Sequence, residues 1–383
     1  LKCFTKIIQQ YNQLHYTALH CITLHYKIGM GIKHLNQFVK RECPGAIKTV
    51  SFADMVGKVI VVDASIYMYR FAADDALLEN MYSMIRMFQL NGIVPIFIFD
   101  GKPPDEKRKL LNKRQRLKRI AEMHYNEVKS SIELNSSLNT ADNEHMLKVL
   151  KRKFVRLHDS DYERVRTLLQ SLGVNYIVAP GEADVMCAQM VLKRKAHACA
   201  SDDTDLFVYG CPRVLRQLNL IDQTMIMYDM SKILELLGMT MTEFRQVCVV
   251  SGTDYAVNST NANANANANA NEVDGVRSKT FNLHLKMTLK LFKQYKKCVQ
   301  EAEETDGIVA TDFYTWLHYN HAAINSRLRF DYDSIIAIND MFETANLKCS
   351  KSMCVAANVN TTIDYDLLKS VMAHENFIFV ENI

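Results

Sequence analysis

At 383 residues the chain can bury a substantial core, as one large domain or two. With 48% hydrophobic and 23% charged residues it has the balance of a water-soluble globule, its net charge is only +4, and no apolar run is long enough to span a membrane as a helix. The ten cysteines are scattered without CxxC pairs or a Cys/His ligand spacing, which argues against a disulfide framework or a zinc site and for reduced thiols inside a cell.

Residues 1–29 begin with Leu1, contain no Asp or Glu, and differ in character from the rest of the chain. They are expected to be a leader outside the working protein, which would then start at Met30. The run has Lys and His but no Arg, so an organellar targeting role is the minor alternative. From there several short β-branched runs end in acids or turn residues. "KVIVVDAS" (58–65) predicts a buried strand ending at Asp63, and "GIVPIFIFDG" (92–101) a second ending at Asp100. "NYIVAPGEAD" (175–184) predicts a strand, a Pro-Gly break and a helix start carrying Glu182 and Asp184, and "AHACASDDTD" (196–205) is the fourth such run. Helical patterns lie between them, as in "LLENMYSMIRMFQLNG" (77–92) and "DYERVRTLLQSLG" (161–173). Alternation of this kind predicts an α/β fold with a mostly parallel central sheet flanked by helices.

Such sheets bind ligands outside the carboxyl ends of their strands. Asp63, Asp100, Glu182, Asp184, Asp203 and Asp205 are therefore expected on one rim, joined by Asp254 from "VVSGTDYA". Any one of these acids could be a cap or a turn residue, and Asp202 is expected to point away from the others. Together they would repel unless a cation sat among them. Hard ions such as Mg²⁺ want oxygen ligands, and a pair of them can clamp the attacking and leaving oxygens of a phosphodiester.

Directly after Asp100 comes "GKPPDEKRKLLNKRQRLKRIAEMHYNEVK". Two prolines break the strand, and a long basic helical stretch is expected beyond them as an arch over about 103–150. On a helix Lys107, Arg114 and Lys118 are seven and then four residues apart and share a face. A charge run is commonly a solvated face, but beside a carboxylate cluster it suits a phosphate backbone.

At this point the residues match a family. "MGIKHLNQFV" (30–39), "VVDASIYMYRF" (61–71), "FIFDGKPPDEKRKLLNKR" (97–114), "APGEADVMCA" (179–188), "SDDTDLFVYG" (201–210) and "SGTDYA" (251–256) resemble the flap endonucleases among the XPG-type structure-specific 5′ nucleases. The resemblance implies that the seven acids Asp63, Asp100, Glu182, Asp184, Asp203, Asp205 and Asp254 hold two Mg²⁺ ions, with Mn²⁺ as a substitute; the family usually has Glu where Asp184 stands. It implies that Lys107 and Arg114 approach the scissile phosphate, that Tyr69 stacks near the first acid with Tyr67 as its rival, and that Gly31 lies close to DNA and metals.

The nuclease core is expected to cover 30–256. An Asn/Ala low-complexity loop comes next over 257–274, where "NANANANANAN" offers no large apolar side chain to anchor it. A helical region over 275–383 is expected to contact duplex DNA. Gly275 and Lys279 echo the family's duplex-gripping motif, whose second glycine is absent, and the basic helix "HLKMTLKLFKQYKKC" (284–298) offers Lys290 to phosphates. No sliding-clamp-binding tail is recognisable, and a monomer is expected. The implied activity is Mg²⁺-dependent hydrolysis of DNA at single-strand/duplex junctions, in replication or repair, at a nuclear or viral replication site. The alternatives are a catalytically silent DNA-junction-binding module and a PIN-like ribonuclease. A silent binder need not keep all seven acids, and a PIN-like enzyme does not call for the "FDGKPP" arm.

Overall fold

The computed structural model describes residues 31–134, 141–253, 255, 284–303, 312–324, 332–343 and 362–373. The expected leader (1–29) and Asn/Ala loop (257–274) lie outside the described residues, as do Asp254, Gly275 and Lys279.

In chain order the elements are α1 (Leu35–Glu42), β1 (Ile47–Ser51), β2 (Val59–Asp63), α2 (Ala64–Ala73), α3 (Leu77–Leu90), β3 (Val94–Phe99), α4 (Arg108–Leu134), α5 (Ala141–Lys153), α6 (Asp159–Ser171), β4 (Asn175–Val178), α7 (Ala183–Leu192), β5 (Ala198–Ala200), α8 (Asp205–Val208), β6 (Arg213–Asn219), β7 (Thr224–Asp229), α9 (Met230–Leu237), α10 (Met241–Val250), α11 (Leu285–Glu303), α12 (Phe313–Ile324), α13 (Tyr332–Phe342) and α14 (Tyr365–Met372). The strands form one seven-stranded sheet in the order β1-β7-β6-β5-β2-β3-β4. β6, β5, β2, β3 and β4 run parallel, while β7 and β1 add an antiparallel edge. The α/β class with a mostly parallel sheet is as the alternation predicts.

The apolar strands face two cores because successive side chains point to opposite sides of a sheet. On β2, Ile60 and Val62 enter one core while Val61 enters the other; on β3, Phe97 and Phe99 oppose Ile96 and Ile98. Helices α2, α3, α6 and α14 cover the first face, and α1, α7, α9, α10 and α11 to α13 cover the second. The helical C-terminal region therefore divides. Most of it thickens one face, whereas α14 crosses to the other, where Asp364 N–H donates to the Ser171 carbonyl at 2.8 Å. Helix ends are fixed locally: Thr240 and Glu243 form a reciprocal capping box on α10, and Gly238 ends α9 in the left-handed region.

The strand ends converge on one rim because β2, β3, β4 and β5 are parallel neighbours. Asp63 closes β2 and caps α2, accepting from Ile66 N–H at 3.5 Å. The chains leaving β3 and β4 are clasped together, with Gly101 N–H donating to the Gly181 carbonyl at 2.7 Å. A Cβ on Gly101 would lie 2.0 Å from the Ala179 carbonyl oxygen. Gly101→Ala is thus expected to destabilise the protein by about 2 kcal/mol through forced overpacking, measured by urea unfolding. A variant of wild-type stability would show that the two strand ends are not held this closely.

Candidate metal centre and basic arch

Asp184, Asp203 and Asp205 can each offer a carboxylate oxygen with all three oxygens within 4.8 Å of one another. All three are buried or nearly so: Asp184 lies in the first turn of α7, Asp203 comes just after β5, and Asp205 opens α8. The loop between them is folded by its own polar groups. Ser201 hydroxyl donates to Asp63 Oδ2 at 3.1 Å and accepts from Asp203 N–H at 3.2 Å, and Asp205 N–H donates to Asp203 Oδ1 at 2.9 Å. Asp100 Oδ1 accepts from Ala183 N–H at 2.8 Å, tying the end of β3 to the start of α7. Five of the seven expected acids are thereby linked directly or through neighbours, and Glu182, the N-cap position of α7, completes the described set.

Three buried carboxylates with their oxygens this close suit a hard divalent cation and no soft one. The donor set is all oxygen; the buried thiols Cys187, Cys199 and Cys211 are pushed up by burial, remain protonated, and offer no thiolate. The cost of the cluster without a cation is visible in its protonation. Burial, then Asp100 and Asp203, push the Asp63 carboxyl up to about 8. Burial likewise raises Asp184, against the pull of Lys107.

Asp202 departs from its neighbours as its sequence context predicts. Its carboxylate lies 3.8 Å from both Arg70 Nη1 and Arg216 Nε, and Oδ1 accepts from Gln217 N–H at 3.0 Å. Gly31 sits on the opposite side of the acids with φ +72°. A Cβ there would fall 2.2 Å from Thr204 Oγ1 and 2.6 to 2.7 Å from Asp205 and Asp203 oxygens, so only glycine lets the backbone approach. The next residue, Ile32, donates its N–H to Thr204 Oγ1 at 3.0 Å.

The arch corrects one expectation. Lys107 does not share a helical face with Arg114 and Lys118, because it lies in a 3-10 turn, Asp105–Lys107, ahead of α4. The Pro103-Pro104 step delays the helix to Arg108. From that turn the buried Lys107 reaches into the rim, its Nζ 2.6 Å from Glu182 Oε1. Burial works against its charge, yet Asp184, Glu182 and Asp205 together hold its pKa above the ordinary amine range. Arg114 and Lys118 turn instead to Tyr69. Lys118 Nζ stands 4.8 Å from the Tyr69 ring centroid, and Arg114 is near enough to act on the Tyr69 phenol. Tyr69 is half-buried beside Asp100, whereas Tyr67 is fully buried in the core, so the structure separates the two rivals. The arch helices are tied to the body by Arg152–Asp74 at 2.9 Å and Lys151–Asp75 at 2.5 Å. Lys290 is exposed on α11, whose other face buries Leu285, Leu291 and Phe292.

Two aromatic residues at the rim have no signal among the acid motifs. Tyr255 hydroxyl donates to Glu182 Oε2 at 2.5 Å, and Tyr209 hydroxyl lies 2.8 Å from that of Tyr255. Both sit inside acid-bearing motifs, but a tyrosine after an apolar run is indistinguishable from a core aromatic until its neighbours are known.

With this geometry established, comparison with known proteins is informative. The XPG N-terminal domain matches residues 30–121 and the XPG I-region matches 173–254. Flap endonuclease 1 of Mycosarcoma maydis is 33% identical over 246 residues, which is 59% of this chain and 63% of that protein. Flap endonuclease 1-B of Oryza sativa subsp. indica is 34% identical over 250 residues, 60% of this chain and 58% of that protein. The chain thus matches less than two thirds of the length of either relative. Among solved structures, the catalytic core of Rad2 in complex with DNA substrate aligns with TM-score 0.54 at 18% identity, covering 90% of this chain and 95% of that one. Human GEN1 in complex with Holliday junction DNA aligns with TM-score 0.53 at 18% identity, covering 90% and 73%. At that identity the two structures speak for the fold alone. The fold and the rim define an α/β protein with a clustered carboxylate site suited to a hard cation. The chain shows strong and consistent homology to the XPG and flap endonuclease family of structure-specific nucleases, at moderate divergence.

The raised carboxyls make the metal-free protein sensitive to pH. Asp63 binds its proton more tightly when folded than when unfolded, so the stability it contributes is complete below about pH 4, the ordinary carboxylate range, and is lost as pH rises through about 8. In the presence of a chelator the melting temperature should therefore fall across this window, and Asp63→Asn should flatten the decline. A melting temperature that rises from pH 5 to 8 and is indifferent to Asp63→Asn would contradict the burial of an unscreened cluster.

Proposed function

We propose that this chain is a divalent-metal-dependent nuclease that hydrolyses DNA phosphodiesters at single-strand/duplex junctions. The observation that carries the reading is the convergence of Asp184, Asp203 and Asp205 within 4.8 Å, next to a basic segment whose Lys107 reaches Glu182. Asp63, Asp100, Glu182, Asp184, Asp203 and Asp205 would together hold two Mg²⁺ ions. When bound, such ions supply charge neutralisation at the phosphoryl oxygens and lower the pKa of the attacking water.

The chain's own residues do the rest. Lys107, within reach of Glu182, presents a fixed positive charge at the rim where charge develops on the phosphate. Arg114 and Lys118 line the arch above Tyr69 and draw the single-stranded backbone toward the acids. The half-exposed face of Tyr69 offers a stacking platform for a base beside the scissile bond. Lys290 and neighbouring lysines on α11 would meet duplex phosphates. Branched or flapped DNA fits this division: a single strand for the arch, a duplex for the helical face. The DNA-bound Rad2 and GEN1 structures support the fold's suitability for such substrates.

The test is cleavage of a panel of flap, bubble and nicked DNAs with Mg²⁺, Mn²⁺ or chelator. Asp203→Ala should lower single-turnover cleavage by about 100-fold or more while leaving DNA affinity intact, because it disturbs ion binding at the reacting phosphate but removes no positively charged side chain that contacts DNA. Arg114→Ala should slow single-turnover cleavage with only modest loss of binding. Near-normal cleavage by Asp203→Ala, or activity in chelator, would refute the metal-dependent reading.

A further inference from the structure

Tyr255 touches both members of the ion pair that closes the rim. Its hydroxyl donates to Glu182 Oε2 at 2.5 Å, while Lys107 Nζ takes Glu182 Oε1 at 2.6 Å. The same ammonium stands 4.6 Å from the centroid of the Tyr255 ring. Since the Tyr255 proton is given to Glu182, the contact at 2.8 Å with Tyr209 has Tyr209 as its donor. The relay therefore runs from Tyr209 through Tyr255 to the carboxylate.

The ring is held as firmly as its hydroxyl. Phe342 of α13 meets it edge-on at 5.2 Å between centroids, and the Tyr209 ring lies 4.9 Å from that same Phe342. Tyr255 is thus anchored in the apolar core at one end and aimed at a carboxylate and a cation at the other. Filling the core would require only a phenylalanine; the hydroxyl and the placement of the ring face go beyond that need. Carboxylates that ligate a metal are themselves oriented by outer hydrogen bonds, and a ring face attracts a cation most strongly where water is excluded.

We propose that Tyr255 is a positioning residue of the rim, whose hydroxyl orients Glu182 for the divalent ion and whose ring face seats the Lys107 ammonium. The proposal rests on the metal-dependent nuclease reading above. It assigns two separable roles to one side chain. The hydroxyl acts through Glu182 on ion binding, and the ring acts through Lys107 on the reacting phosphate.

Manganese titration by calorimetry on the full chain tests the first role. Tyr255→Phe keeps the ring and the volume, so it should fold normally by circular dichroism and weaken Mn²⁺ binding by about tenfold. A double-mutant cycle in single-turnover flap cleavage, at saturating metal, tests the second. Tyr255→Leu should be about threefold to tenfold slower than Tyr255→Phe, and that extra loss should vanish in a Lys107→Ala background. If the leucine variant does not fold, Tyr255→Met takes its place. Wild-type Mn²⁺ affinity in Tyr255→Phe, or an equal ring loss with and without Lys107, would overturn the proposal. If the wild type binds Mn²⁺ but cuts no DNA, the nuclease reading fails, while the Mn²⁺ comparison still decides the role of the hydroxyl.

Discussion

Carboxylates withdrawn from water repel one another, and the parallel sheet drives them together. β2 ends at Asp63, β3 one residue before Asp100 and β5 three residues before Asp203, and the turn after β4 delivers two more acids. Parallel neighbours end on the same side, so the topology alone concentrates negative charge on one rim. Around it the protein spends backbone and hydroxyl donors to keep the acids in place: Ser201 on Asp63, Ala183 N–H on Asp100, Asp205 N–H on Asp203. None of these donors cancels the charge. The raised carboxyls of Asp63 and Asp184 express the remaining imbalance, which a divalent cation would relieve.

Lys107 is the chain's own partial answer to that imbalance. It comes from a turn outside the sheet and reaches Glu182, the acid nearest the arch, so the position of the arch base and the charge state of the rim are physically linked. Further along, Arg114 and Lys118 gather over Tyr69, while Arg152 and Lys151 fasten the returning helix to Asp74 and Asp75 at the end of α2. The arch is therefore held at both feet, one in the acidic rim and one at the other end of α2. Burial and the neighbouring Arg156 and Arg114 disfavour the charge on Lys118, so this part of the arch carries an excess of positive potential. A phosphate backbone satisfies that excess in the same way that a cation satisfies the rim.

Much of this was legible in the sequence because strand-end chemistry is local. A β-branched run capped by Asp reveals both the strand and the place its acid will occupy, and Asp202 was expected to point away from Asp203 and Asp205. The rest depends on contacts between distant segments. The antiparallel edge of β1 ("IKTVS") and β7 ("TMIMYD") was hidden because its pairing joins segments nearly two hundred residues apart and β1 mixes polar residues into a short strand. The displacement of Lys107 from its expected helical face is set by two prolines acting against a basic run that reads as continuous helix. Tyr255 and Tyr209 look like core aromatics in sequence, and only the meeting of Tyr255 with Glu182 shows the one hydroxyl on the carboxylate and the other on its neighbour's hydroxyl. The helix α14 has its own N-cap in Asp364, but its return to α6 depends on distant contacts: Leu368 and Met372 enter the first core, and Asp364 N–H bonds to the Ser171 carbonyl across nearly two hundred residues.

The central claim is that the clustered acids form a binding site for hard divalent cations. Anomalous scattering from crystals of the full chain soaked in Mn²⁺ tests it most directly. Peaks are expected on the rim among Asp184, Asp203 and Asp205, with a second ion about 3.5–4 Å from the first if the two-ion arrangement holds. A rim free of manganese under these conditions, or manganese bound only elsewhere on the protein, would contradict the account.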